Sequence, residues 1–256
     1  MTATRKIDDW AKGILKGATI EGNVLKLPGQ LPREDYQRIN KVLVGLGGKW
    51  DRRLGGHVFA FDPGELVEKA ANEGVYTDRK QDLQFFETPA EIAGRMVELA
   101  EVGPNDTVLE PSAGHGRIVS KLLAAGAAVV AVEIDATNAK VLREMPSDHL
   151  AILEMDFLKF AKPSAYNEFF DAVVMNPPFT GGQDIEHIRA AWNLLKPGGQ
   201  LVAVLGEGAF FNSATKFANF RMWLNVIGAE NERLPEGTFK ESGTGVNTRL
   251  IWATKL

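Results

Sequence analysis

Cysteine is absent from the 256 residues, which excludes a disulfide framework, a thiolate metal site and a thiol nucleophile. Also missing is any apolar stretch of the 18 or so residues needed to cross a bilayer. The start, Met1-Thr2-Ala3-Thr4-Arg5-Lys6, runs into polar and acidic residues where an export signal would be apolar. There is no internal repeat and no low-complexity tract. From these absences the expectation is a cytoplasmic protein with no membrane contact and no metal centre.

Charge is present but unevenly placed. The net charge is -4, which argues against non-specific coating of nucleic acid. Residues 1–80 hold 14 Lys and Arg against 11 Asp and Glu, while residues 81–256 hold 15 against 22. The first part is thus net basic, +3, and the remainder net acidic, -7. With 45% hydrophobic residues the chain can bury one large core and a small second one.

The most informative stretch is Asn176-Pro177-Pro178-Phe179, entered from Phe169-Phe170-Asp171-Ala172-Val173-Val174-Met175. A short run rich in valine and phenylalanine, stopped by two prolines, reads as a buried strand delivering four residues to the C-terminal edge of a sheet. Open α/β sheets bind ligands at that edge. The Asn176 carboxamide and the carbonyls of Pro177 and Pro178 offer hydrogen-bond acceptors, and Phe179 offers an apolar face. Together they form a socket for a planar ring bearing an exocyclic amine. The same four residues also read as a turn with a core phenylalanine.

Upstream lies a second motif. Strand Thr107-Val108-Leu109 leads into Glu110-Pro111-Ser112-Ala113-Gly114-His115-Gly116 and a helix through Leu123. Strand, glycine turn and helix make a nucleotide-facing geometry, although the third glycine of the dinucleotide fingerprint is replaced by Val119. The next strand, Ala128–Val132, ends on Glu133-Ile134, and Glu133 lies 19 residues past Gly114, the spacing of a ribose-binding acid. After a strand over 150–153, Asp156 can accept from an adenine amine while Phe157 covers the ring. Earlier, Phe86-Glu87-Thr88-Pro89 opens a helix over 90–100, with Thr88 expected to cap it.

Residues 1–80 read as a small α/β or α+β module. A strand is expected over 20–27, helices over 32–46 and 63–72, and a strand over 58–61. Between them Lys49, Trp50, Arg52, Arg53 and His57 put cations and an aromatic ring in one glycine-flanked segment, the mix that phosphate contact and base stacking use. It also reads as a solvated loop with Trp50 packed inward. Residues 180–183 are short enough to act as a lid, and 240–245 form a loop of hydroxyls and glycines.

Alternation of strand and helix from residue 85 onward predicts a mostly parallel sheet with an antiparallel last strand. With these ordered motifs, residues 84–256 resemble the S-adenosylmethionine-dependent amino-methyltransferases, in particular the adenine-specific DNA methyltransferases. The resemblance implies a Rossmann-like class I methyltransferase domain over 81–256, behind an accessory module over 1–80. It implies that Phe86, Thr88, Pro89, Glu110, Pro111, Ser112, Ala113, Gly114, Gly116, Glu133, Ile134, Asp156, Phe157 and Asn176 hold S-adenosylmethionine. Asn176, Pro177, Pro178 and Phe179 would act on an adenine flipped out of double-stranded DNA. RNA or a protein glutamine as acceptor, and a non-catalytic regulator, are the alternatives. Lys49, Arg52, Arg53, Lys240 and Arg249 are the candidate nucleic-acid contacts, with Lys216 and Arg221 beside them. Only 77 residues follow Phe179, too few for the large recognition domain many of these enzymes carry. Recognition then falls to the N-terminal module, to loops, or to a partner, either a second copy or a separate specificity subunit.

Overall fold

The computed structural model describes residues 4–78, 86–162, 166–240 and 244–256. It divides into two units, 1–85 and 86–256. The boundary expected near residue 80 lies outside the described residues.

In the first unit β1 (Thr4–Lys6) pairs antiparallel with β6 (Val75–Thr77). Helix α1 (Asp9–Lys16) begins where the Asp8 carboxylate accepts the Ala11 amide at 2.8 Å, a side-chain N-cap. The strand expected over 20–27 is instead a hairpin, β2 (Thr19–Glu21) and β3 (Val24–Lys26). Gly22 makes the reversal at φ 59°, and the Asn23 side chain donates to the Phe59 carbonyl at 2.8 Å. Helix α2 (Arg33–Gly45) follows, then β4 (Lys49–Asp51), β5 (Gly56–Val58) and α3 (Gly64–Glu73), stopped by Gly74 in the left-handed region. The four-stranded sheet runs β2-β3-β5-β4. Leu25, Ile39, Leu43, Phe59 and Val67 form its core.

The second unit is organised by β10 (Phe170–Met175), in which all residues but Asp171 are buried. A strand so apolar needs cover on both faces, which is the sequence signature of a parallel sheet between helix layers. Around it lie β7 (Thr107–Glu110), β8 (Ala128–Glu133), β9 (Leu150–Glu154), β11 (Leu195–Gly206), β12 (Glu230–Arg233) and β13 (Thr248–Thr254). Their order is β12-β13-β11-β10-β7-β8-β9, with β13 antiparallel to both of its neighbours. One apolar layer joins the sheet to α4 (Ala90–Leu99) and α5 (Arg117–Ala124) through Met96, Ile118 and Leu122. The opposite layer uses α8 (Gln183–Leu194) and α10 (Thr215–Val226) through Ile188, Leu194 and Phe220. Each of these fully buried side chains contributes roughly 1.5–3 kcal/mol relative to exposure. Short helices α6 (Ala136–Arg143), α7 (Phe157–Phe160) and α9 (Gly208–Phe211) complete the unit.

Asp171 is polar for a reason. Its carboxylate accepts the Thr107 amide at 2.9 Å and pairs with Lys196 at 2.6 Å, tying β7 and β11 to β10 at their N-terminal ends. The chain order reverses between β7 and β10, so the loops leaving these two neighbours diverge and open a crevice at the C-terminal edge.

Candidate active site

Register brings the sequence motifs to that edge. Leu109 lies beside Val173, Glu110 beside Ala131, and Glu133 beside Glu154. The loops after β7, β8, β9 and β10 therefore leave the sheet side by side.

Asn176 is the first residue beyond β10. Its amide nitrogen donates to the Phe86 carbonyl and to the Thr88 hydroxyl, both at 3.0 Å. A carbonyl can only accept, so this contact fixes which end of the carboxamide is nitrogen. The opposite end, Oδ1, is buried and has no partner among the described residues. A buried acceptor without a donor is costly, about 1–3 kcal/mol. Thr88 was expected to cap α4 and does not. The capping position is taken by Pro89, and the Thr88 hydroxyl is spent on Asn176 instead. Phe179 is half-buried, packed on the core beneath the edge.

The glycine turn is held from below. Ala113 donates its amide to the Val132 carbonyl at 3.1 Å, and Gly114 donates to Glu133 Oε2 at 2.7 Å. Gly116 has φ 79°, and a Cβ there would stand 2.6 Å from the Met145 sulfur and 2.8 Å from Leu142 Cδ2. Glycine is therefore required twice, by conformation and by packing. Ser112 lies half-buried on this turn, and Pro111 is buried.

Glu133 Oε1 accepts the Asp135 amide at 2.8 Å, so both of its oxygens already hold backbone groups. A carboxylate has about four acceptor positions, which leaves room for hydroxyl donors. Burial pushes its pKa up, opposed by the amides of Asp135 and Gly114. Glu110 is raised well above the usual carboxylate range, by burial first and then by the nearby Glu133 charge. Glu110 Oε2 has no partner, and neither acid has a Lys or Arg partner among the described residues. Two buried acids without a counter-cation make a site that favours a positively charged ligand.

On the β9 side, Asp156 caps α7 by accepting the Leu158 amide at 2.8 Å. Phe157 does not offer an open ring. It is 3% exposed, packed against Phe160 and His187 in the core, because α7 turns its side chain inward. The apolar side chains exposed at this edge include Ile134, at 60%, and Met155, at 37%.

Most of the cations expected to meet nucleic acid in this unit are already engaged. Arg249 donates to Glu207 at 3.1 Å and Asn231 at 2.8 Å and lies over the Phe210 ring. Arg221 donates to the Ala209 and Asn212 carbonyls. Lys216 holds the Gly181 carbonyl at 3.1 Å and Glu186 at 2.7 Å. That contact also corrects the lid expected at 180–183, which is a 3₁₀ turn running directly into α8. Lys240 is exposed, and 241–243 of its loop lie outside the described residues.

Three residues that sequence reasoning passed over line this region. Asn138 is 1% exposed, and its side chain bonds to Glu133. Asp184, 3% exposed at the start of α8, accepts the amides of Ile185 at 3.0 Å and Gly206 at 3.3 Å. Burial pushes its pKa up to about 6. His187 is also buried and one helical turn on. The pairing Asp184-x-x-His187 on an otherwise apolar helix face was the available signal.

A model of the ribosomal RNA adenine dimethylase family matches residues 75–191, just under half of the chain. The mitochondrial ribosomal RNA small subunit methyltransferase of Arabidopsis thaliana is 36% identical over 119 residues, 44% of this chain and 30% of that protein. A probable ribosomal RNA small subunit methyltransferase A from Methanosarcina mazei is 35% identical over 104 residues, 40% of this chain and 36% of that one. The chain thus spans about a third of the length of these curated relatives. Among solved structures, the type I restriction-modification methyltransferase subunit from Streptococcus thermophilus superposes with a TM-score of 0.58 at 20% identity, covering 74% of this chain and 49% of that one.

The second unit has the class I methyltransferase fold. The cofactor of the class I methyltransferase fold is S-adenosylmethionine, and the residues here fit it. The open oxygen of Glu110 suits its cationic methionine end, Glu133 its ribose hydroxyls, and the Gly114–Gly116 turn lets it approach the backbone. Among the described residues no helix is long and apolar enough to cross a membrane.

Proposed function

We propose that the chain is an S-adenosylmethionine-dependent methyltransferase acting on the exocyclic amine of adenine in RNA. The observation that carries the reading is Asn176 Oδ1, a buried acceptor with no partner among the described residues whose own amide nitrogen is clamped by Phe86 and Thr88.

When bound, S-adenosylmethionine supplies an electrophilic methyl group on sulfur. Glu110, the glycine turn, Glu133 and Ile134 would hold it, with Asp156 at the adenine end. The chain's part in the chemistry is to place an amine. Asn176 Oδ1, with the Pro177 carbonyl beside it, accepts hydrogen bonds from the amine and aims its lone pair. Phe179 supports the ring. A clamped acceptor does not reorganise as charge develops, so positioning and a preorganised polar site supply the rate. An adenine amine within a paired helix is out of reach, so the base must be unpaired or turned out.

RNA is favoured over the double-stranded DNA expected from the motifs, because the matched family and the relatives are named for ribosomal RNA. DNA adenine is the second reading, favoured by the resemblance of Asn176-Pro177-Pro178-Phe179 to adenine-specific DNA enzymes. The test is transfer of labelled methyl onto ribosomal RNA, unpaired RNA and duplex DNA, with Asn176→Ala alongside. The expected result is methyladenine in RNA, falling by about 10²–10³ in the variant while calorimetry shows the cofactor still bound. Transfer to duplex DNA alone would select the second reading. Undiminished transfer by Asn176→Ala would overturn both.

A further inference from the structure

The basic, aromatic segment singled out in the first unit is not used by the methyl-transfer site. In the structure it is the β4–β5 hairpin. Asp51 Oδ1 accepts the amides of Arg53 at 2.7 Å and Leu54 at 3.0 Å, which fixes the turn. Trp50 stands opposite His57 across the hairpin. Its ring meets Tyr36 edge-on at 5.8 Å and His57 at 5.4 Å, yet it remains 46% exposed. His57 itself is buried and locked to Asn40 at 2.8 Å, so the indole rests on a rigid base. Lys49, Arg52 and Arg53 lie beside it in sequence, all exposed and none with a carboxylate partner among the described residues. Of the other cations in this unit Arg5, Lys12, Lys26 and Arg38 are paired, whereas Lys16, Arg33, Lys41 and Lys69 have no carboxylate partner among the described residues, so the hairpin is set apart by its exposed indole.

We infer that this hairpin is a docking surface for a single-stranded stretch of the RNA acceptor, with a base stacked on Trp50 and phosphates on Lys49, Arg52 and Arg53. A fixed indole among unpaired cations matches a ligand that carries planar rings and anions in alternation. An acidic peptide would supply the anions and leave the indole unmatched. The inference rests on the proposed function for its choice of RNA. It is separable because binding can be read without cofactor or methyl transfer.

The experiment is fluorescence anisotropy of the full chain with a labelled single-stranded RNA, the same sequence as duplex DNA, and polyglutamate, over a range of salt. Trp50→Ala is expected to weaken RNA binding about five- to hundredfold, the usual effect of losing one stacked base. Arg52→Ala with Arg53→Ala should lower the slope of log affinity against log salt by about 1.4, at about 0.7 per cation on a single strand. These two arginines are exposed, so that variant folds whatever Trp50→Ala does. Lys69→Ala, an exposed cation on α3, should change neither quantity beyond a general charge effect. Unchanged affinity and slope in the hairpin variants, an equal loss on polyglutamate or on duplex DNA, or an equal loss from Lys69→Ala would each overturn the inference. Binding that follows these expectations in a chain that methylates nothing would refute the proposed function and leave the hairpin assignment standing.

Discussion

Glu110 shows how much one side chain reports about a site. Its carboxyl is buried beside Glu133 and raised well above the ordinary range, with burial the main cause. A carboxyl whose native pKa is raised stabilises the fold fully below its unfolded pKa, and that contribution is lost as pH rises through the native value. Glu110→Gln removes the titration. We expect the ligand-free variant at pH 8 to melt at the same temperature as the parent or higher, and to bind S-adenosylmethionine at least tenfold more weakly, by differential scanning calorimetry and titration calorimetry. A variant that melts lower and binds normally would make Glu110 a structural acid. Asn176 belongs to the same scale. The residue type was readable in the sequence, but the clamp by Phe86 and Thr88 joins positions 90 and 88 residues away and no local pattern encodes it.

At the scale of elements, the junction of β7 and α5 decides whether the cofactor loop keeps its shape. Gly116→Ala would place a Cβ against Met145 and Leu142 in a left-handed backbone. Strain of roughly 1–2 kcal/mol and overpacking of roughly 1–3 kcal/mol should add to a loss of about 2–5 kcal/mol in urea unfolding. Met145→Ala in the same chain should recover part of it, and a loss below about 0.5 kcal/mol would show that the loop adjusts freely. The strands and helices of this unit were visible as apolar runs broken by Pro and Gly. Thr88 was misplaced because capping rules consider only the helix, and here a tertiary donor, the Asn176 amide nitrogen, takes the hydroxyl in place of a helix amide. Phe157 was misplaced likewise, since the turn of α7 decides which way an aromatic points. The β2–β3 hairpin was hidden because Val24 and Leu25 continue the apolar run of Ile20 across Gly22.

For the whole molecule, the cores of the two units are drawn from separate stretches of chain. Leu25, Ile39 and Phe59 belong to one, and Met96, Val174, Ile188 and Phe220 to the others. A chain of residues 86–256 should therefore unfold cooperatively by itself and bind S-adenosylmethionine with an affinity within about threefold of the full chain, a difference of about 0.65 kcal/mol. A molten or aggregated fragment would mean that the first unit is needed to complete the second.

By itself the sequence determined the class of fold, the alternation of strands and helices along the second unit and the identity of the residues at the strand ends. Those properties depend on local periodicity and on glycines and prolines, which act within a few residues. Only the tertiary structure decided which of the gathered residues are open. Arg249, Arg221 and Lys216 are consumed by partners from other elements, whereas Asn176 Oδ1 and Glu110 Oε2 are left without one among the described residues. Whether a polar atom is satisfied depends on groups far along the chain, brought near only when the sheet and its helices pack.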